Sequence, residues 1–282
     1  MSVVINTNVD SLKIQHNLTS ATSNLSKSME RMSTGLKVIT AKDDAAGTVI
    51  AARMKVQLDG NQIAQNNVQN GTAMLATAEG HLDVVQDNLS RVRDLTLQAK
   101  NGTYSAEEIQ AMQDEAGELI KEIDRVSTSS KYSSLFLFND TKLQKDGATF
   151  QVGANSTEDN TINADKSLFE SVKFQDLTTL ADFDLTKMSA AQMKTALENL
   201  DKGLDNITAR KSTIGSAQNR LESALSTLTT QYENLSSAKS IIMDADIASE
   251  ASNFTQQQIL QQVSTSLLAQ ANQAPSIALS LV

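Results

Sequence analysis

The sequence predicts a mostly α-helical protein: a long antiparallel coiled-coil helical bundle, a small β-hairpin element, and paired N- and C-terminal helices. Three observations lead there. The 282-residue chain has one Pro, no Trp and 4% aromatic residues, a composition that favours long helices over a β-sandwich. Apolar residues step by three and four through most of the chain, the period of one helix face. Both ends read as lightly charged amphipathic helices with a narrow stripe, so the simplest partner for each is the other. The last 36 residues, Ile247 to Val282, carry one charged side chain, Glu250, in a chain that is 20% charged. A helix with one wet face normally puts charge there, so both faces of this one are expected to meet protein, which points to assembly.

In chain order, residues 1–8 read as extended, with Val3, Val4 and Ile5 ahead of Asn6, Thr7 and Asn8. Asn8 or Asp10 can cap the helix that follows. Its stripe is Leu18, Leu25, Met29, Met32 and Leu36 at coiled-coil spacing, and Gly35 weakens its end. The matching C-terminal stripe is Leu260, Val263, Leu267, Ala271 and Ala274. Isolated helices of this kind are marginal in water, so both termini are expected to be disordered in the monomer and to fold on assembly.

Residues 38–43 read as a linker, and Asp43-Asp44 as an acidic helix start. A helical segment then runs to about Lys100, regular over Leu82, Val85, Leu89, Val92, Thr96 and Ala99. Gly60, Gly71 and Gly80 interrupt it, which predicts a kink or break near Asn70-Gly71. Asn101-Gly102 ends it. Ser105-Ala106-Glu107-Glu108 is a capping box opening a helix through Ile109, Met112, Ala116, Leu119, Ile123 and Val126 to about Ser127. From Thr128 to Lys187 six of the seven Phe residues gather among turn-forming residues. Ser134–Asn139 and Ala148–Val152 read as strands, in a β-element that must pack on the helices to be stable. Ser189-Ala190-Ala191-Gln192 is a second capping box. It opens the longest expected helix, whose stripe from Leu197 to Ile242 holds for seven heptads and spans about 80 Å if unbroken. The expected segments are 1–43, 44–187 with the β-region at about 131–180, 188–246 and 247–282.

The chemistry search excludes more than it finds. The net charge of −9 comes without a basic stripe, which argues against nucleic acid. No apolar run approaches the roughly 20 residues of a membrane span, so no membrane insertion is expected. With no Cys, disulfides are excluded. The N-terminus lacks a basic region followed by an apolar one, so an extracellular destination would need a dedicated export machine. His16 and His81 stand far apart with no metal-ligand spacing, and no phosphate loop follows Gly147 or Gly153. Each histidine reads as a surface or packed residue. No catalytic residue, metal or cofactor is expected, and the chain reads as a non-enzyme.

Several strings, in order, resemble bacterial flagellin. Near the start are Val4-Ile5-Asn6-Thr7-Asn8, Arg31-Met32-Ser33-Thr34-Gly35-Leu36 and Ala41-Lys42-Asp43-Asp44-Ala45-Ala46-Gly47. The middle has Asn88-Leu89-Ser90-Arg91-Val92-Arg93-Asp94-Leu95, Glu122-Ile123-Asp124-Arg125-Val126 and Gln151-Val152-Gly153-Ala154-Asn155. The end has Gln258-Ile259-Leu260-Gln261-Gln262 and Leu268-Ala269-Gln270-Ala271-Asn272-Gln273. Together these cover roughly residues 1–155 and 190–282.

The resemblance implies a structural subunit that polymerises into the hollow flagellar filament used for swimming. It implies that 1–43 and 247–282 belong to an inner-tube domain around the export channel, that the long helices and hairpin form the next shell, and that the outer variable domain is reduced to about Asn155–Lys187. Export would run through the flagellar type III apparatus to an extracellular filament. The implied partners are further copies of the chain, the flagellar cap and hook-junction proteins, an export chaperone at the C-terminal helix, and a host Toll-like receptor. The receptor site of many relatives falls on Arg91, Leu95 and Glu115, with Asp94 where many have Glu; Arg91 and Glu115 also read as a salt bridge. The alternative within the family is a hook–filament junction protein or a minor flagellin. A secreted coiled-coil effector shares the composition but does not need both terminal stripes.

Overall fold

The structure, a computed structural model, describes residues 7–180 and 183–279, with side chains to Gln273. The expected extended segment at Val3–Ile5 lies outside the described residues. The helices are α1 (Val9–Thr34), α2 (Ala45–Ala99), α3 (Ala106–Ser129), α4 (Thr141–Asp146), α5 (Phe174–Thr178), α6 (Ala190–Met243) and α7 (Ile247–Leu279). The strands are β1 (Lys131–Tyr132), β2 (Leu135–Phe136), β3 (Ala148–Gln151) and β4 (Thr161–Ala164). The chain divides into two compact units, Asp59–Tyr232 and Met1–Leu58 with Glu233–Val282, the divisions falling inside α2 and α6.

In the unit Asp59–Tyr232, the three-four stripe of α2 is the core: Leu82, Val85, Leu89, Val92, Thr96 and Ala99 are all buried. Leu82, Val85, Leu89 and Val92 share a cluster with Ile123 and Val126 of α3 and Leu200, Ile207, Ile214 and Leu221 of α6, and Ala99 packs in a second cluster with Ala116 of α3 and Met193 of α6. Burying a Leu or Ile of this kind contributes about 1.5–3 kcal/mol. Both expected capping boxes are made. The Ser105 N–H donates to Glu108 Oε2 at 2.7 Å and the Glu108 N–H to Ser105 Oγ at 3.3 Å. The Ser189 N–H donates to Gln192 Oε1 at 2.8 Å and the Gln192 N–H to Ser189 Oγ at 3.4 Å.

α2 runs unbroken for 55 residues, so the expected break near Asn70-Gly71 is absent. Gly60 and Gly71 serve close approach instead. A Cβ on Gly60 would lie 2.6 Å from the Ala154 Cβ, and one on Gly71 would lie 2.8 Å from the Phe150 ring. The β-region therefore lies directly on the α2 backbone, which offsets the roughly 1 kcal/mol a mid-helix Gly costs relative to Ala.

The expected strand at Ser134–Asn139 is cut to β2, which pairs antiparallel with β1. Leu137 and Phe138 leave the ladder because they are buried in the core. The expected strand at Ala148–Val152 is β3; its partner β4, with Phe150 opposite Ile162, lies in the stretch the sequence left as turns. Arg210 of α6 anchors the following loop: its Nη1 donates to the Glu170 carbonyl at 2.7 Å and its Nε to Asn206 Oδ1 at 2.7 Å. Burial lowers the Arg210 pKa, against the opposing pull of Glu170.

In the other unit, α1 is capped by Asn8, whose Oδ1 accepts from the Ser11 N–H, and ends at Gly35 with φ +71°. Glycine reaches this left-handed conformation without the steric cost other residues incur. The expected linker is ordered. The Lys37 N–H donates to the Met243 carbonyl at 2.6 Å and the Ala245 N–H to the Gly35 carbonyl at 2.9 Å, so the two connecting segments tie to each other. Asp43 folds back on α1, its Oδ1 2.6 Å from Lys27 Nζ. Its Oδ2 accepts from the Thr40 N–H and hydroxyl, each at 3.1 Å. The Lys27 ammonium first, then the Thr40 N–H, hold the Asp43 carboxyl well below the usual carboxylate range. Asp44 caps α2 through the Gly47 N–H at 2.9 Å.

Candidate functional site

α1 and α7 pack antiparallel along their lengths. The Asn8 side-chain amide donates to the Ala271 carbonyl at 2.7 Å, and the Ser11 hydroxyl to Asn272 Oδ1 at 2.8 Å. The Gln261 amide donates to the Thr22 hydroxyl at 3.3 Å. Arg31 Nη1 lies 3.9 Å from Glu250 Oε2. Glu250, the one charged side chain of α7, is thus buried against α1, while Arg31 Nε is buried without a hydrogen-bond partner. This loose pair favours one register in a seam whose α7 side is largely polar.

The seam differs from the sequence expectation. On α1 its less exposed positions are Ser11, Ile14, Leu18, Ala21, Leu25, Ser28 and Met32. Leu18, Leu25 and Met32 belong to it, Leu36 lies half-buried beyond the helix end, and Met29 is exposed. On α7 the seam is Glu250, Phe254, Gln257, Gln261, Ser264 and Leu268. Leu260, Val263 and Leu267 are not in it: they are 43–47% exposed. At 100° per residue they lie about a quarter turn round α7 from the seam. Ala271 is half-buried at the end of the pairing, and the Ala274 side chain lies outside the described residues. The stripe that marked α7 as apolar is therefore the stripe the single chain leaves uncovered. The seam itself was missed because Gln257, Gln261 and Ser264 give no apolar period. A signal was present in Phe254, Gln261 and Leu268, which share one heptad position.

The second candidate group sits on the α2–α3 surface. Arg91 Nε donates to Glu115 Oε1 at 2.7 Å, with both side chains about half exposed. That hydrogen bond, then the Glu115 charge, raises the Arg91 pKa. Leu95 is 1% exposed, packed with Ala99, Ala116, Leu185 and Met193. It supports this surface from beneath and is not part of it. His81 is held below the usual imidazole range, first by burial and then by Arg125. Among the described residues no three His, Cys, Asp or Glu side chains gather as metal ligands, and no helix is long and apolar enough to cross a membrane.

Comparison with known proteins places this geometry. Residues 5–143 match the bacterial flagellin N-terminal helical region, and residues 197–282 the bacterial flagellin C-terminal helical region. The chain is 36% identical over 280 residues to a flagellin of Halalkalibacterium halodurans, covering 99% of this chain and 100% of that one. It is 35% identical over 302 residues to a flagellin of Bacillus subtilis, covering 99% of each. Among solved structures, a Vibrio parahaemolyticus protein assigned to the flagellar hook-associated class superposes with a TM-score of 0.57 at 17% identity, over 71% of this chain and 99% of that one, a likeness of fold alone.

Proposed function

The chain belongs to the bacterial flagellin family and is a structural subunit of the flagellar filament, and from that premise we propose how its terminal helices serve the polymer. Residues 1–43 and 247–282 form the inner-tube part of the subunit. Leu260, Val263 and Leu267 are the stripe by which α7 packs on neighbouring copies, while its Glu250–Leu268 face holds α1 of its own chain. One observation carries this reading: α7 meets α1 through a largely polar face and leaves its apolar stripe exposed. Such a stripe on a single chain marks an interaction site, and a homopolymer supplies its partner. Residues 44–246 form the surrounding shell, with the β-region on the α2 glycines.

The same stripe is the surface an export chaperone would cover before assembly, and α7 would meet the flagellar cap and hook-junction proteins at the filament ends. Export follows the flagellar channel to an extracellular filament. The subunit carries no catalysis; its work is packing. Electron microscopy of purified protein after seeding tests the reading: long tubes support it, and persistent monomers with intact termini refute it.

The exposed Arg91–Glu115 pair is the part of the chain that a host Toll-like receptor would contact, with Leu95 holding α2 and α3 in place below it. A receptor reporter assay on Arg91→Ala and Glu115→Ala monomers tests this; unchanged signalling removes the receptor reading.

A further inference from the structure

The unit formed by the two ends of the chain carries opposite charge on its two arms. Residues 1–58 hold seven Lys and Arg against four Asp and Glu, whereas residues 233–282 hold one Lys against four Asp and Glu. The arms meet where α2 begins and α6 ends. Gly47 is buried there, and a Cβ on it would lie 3.2 Å from the Ile242 side chain. Around this seam Gly47, Ala51 and Leu58 of α2 are buried.

Helical periodicity places Val49, Arg53 and Val56 on the far side of α2, about half a turn from those buried positions. Val49 and Val56 are both more than half exposed, one heptad apart, and Arg53 lies exposed between them. On the other arm, Ile241 is 78% exposed near the end of α6, and Ile247 is half exposed at the start of α7. Asp244 is exposed between them. One arm thus presents two exposed apolar side chains with a cation between them, and the other, at the turn from α6 to α7, two with an anion between them. The α2 face points away from the contact between the arms.

We propose that these two faces are the halves of one contact between copies: the Val49–Arg53–Val56 face of one subunit seats on the Ile241–Asp244–Ile247 corner of a second copy. The proposal rests on the filament reading above and names the partner surfaces within it. Two features identify the occupant as a second copy. The charges are complementary, Arg53 against Asp244, which favours this docking over docking of either face on itself. The faces are also different surfaces of one subunit. A contact between unlike faces is heterologous: repeated, it propagates into a ring or an open helix and does not close as a two-fold dimer.

Charge reversal tests this in seeded polymerisation of the full chain. Arg53→Glu alone and Asp244→Arg alone each raise the critical concentration about tenfold or more, since like charges then oppose across the contact. A one-to-one mixture of the two single variants recovers to within about threefold of the native protein, because every unlike neighbour pair then matches charge on both faces. The double variant Arg53→Glu/Asp244→Arg recovers likewise. Circular dichroism melts of all variants overlay the native curve, since both side chains are exposed. If the mixture and the double variant polymerise no better than the single variants while their melts are unchanged, the contact is wrong. If the native protein itself forms no tubes in the same assay, the filament reading fails instead.

Discussion

The Gln261 side-chain amide donates to the Thr22 hydroxyl across 3.3 Å, while Leu260, one residue earlier, is exposed. These neighbours on α7 divide its work: Gln261 faces the chain's own α1, and Leu260 faces outward. A seam built from Gln257, Gln261 and Ser264 gains only modest hydrogen-bond free energy, about 0.5–1.5 kcal/mol for each bond made. The larger hydrophobic gain on α7 is left for contacts beyond the single chain.

Phe254→Ala and Leu268→Ala act on the intramolecular seam. Each is expected to loosen α1 from α7 and lower the stability of that pair by about 1–2 kcal/mol, the cost of partly buried apolar truncation. Hydrogen exchange at α1 amides, measured on the monomer, should speed up in both variants. Exchange at Leu82 and Leu89 in the other unit should be unchanged.

Gly60→Ala places a methyl group 2.6 Å from the Ala154 Cβ and 3.2 Å from its Cα. The Cα is backbone and cannot swing aside, so the β-region must shift. The expected cost is about 1–3 kcal/mol, the range for overpacking, although Ala is the better helix former. A denaturant melt checks it; a stabilised variant would mean that Ala154 does not contact α2.

Asp43 makes the connection between α1 and α2 sensitive to acid. Its folded pKa is depressed below the unfolded value of about 3.9. The unfolded state therefore binds its proton first as pH falls. The stabilisation is whole above about pH 5 and is lost as pH drops through the unfolded value toward the lower folded one. The Thr40 amide, which donates to the carboxylate, reports this directly. Corrected for intrinsic rate, its exchange protection should persist from pH 7 to 5 and decline toward pH 3. In Asp43→Asn it should be low throughout and show no such decline.

Arg91→Ala and Glu115→Ala remove one exposed ion pair, and the melting temperature should barely move in either. Leu95→Ala is expected to differ: it empties a buried site and costs about 2–5 kcal/mol. If receptor signalling falls in the first two without any change in melting, and in the third only together with lost stability, the roles of surface and support are separated.

The helices were legible where burial is one-sided and continuous. Leu82 to Ala99 and Ile109 to Val126 run along two apolar clusters that meet at Leu119 and Phe183, so their periodicity follows their burial, and the caps at Ser105 and Ser189 use purely local chemistry. Gly60 and Gly71 misled because their reason is a contact with Ala154 and Phe150, more than 70 residues away in sequence. β4 was hidden because its alternation of buried Ile162 and Ala164 about exposed Asn163 spans only four residues, and its partner β3 supplies the ladder. The α7 stripe was correctly located on the helix but given to the wrong neighbour: apolar spacing marks a face that will be buried and does not say by which chain.

The most direct test of this division is the critical concentration for seeded polymerisation of Leu260→Ser/Val263→Ser/Leu267→Ser beside the native protein, with the α1–α7 amide exchange of both monomers as the reference. Protection in the monomer should be unchanged and the critical concentration raised at least about a hundredfold, from roughly 1 kcal/mol or more lost at each of three contacts between copies. A variant whose monomer loses α1–α7 protection while its filaments grow at the native concentration would show that the stripe serves the single chain and not the polymer.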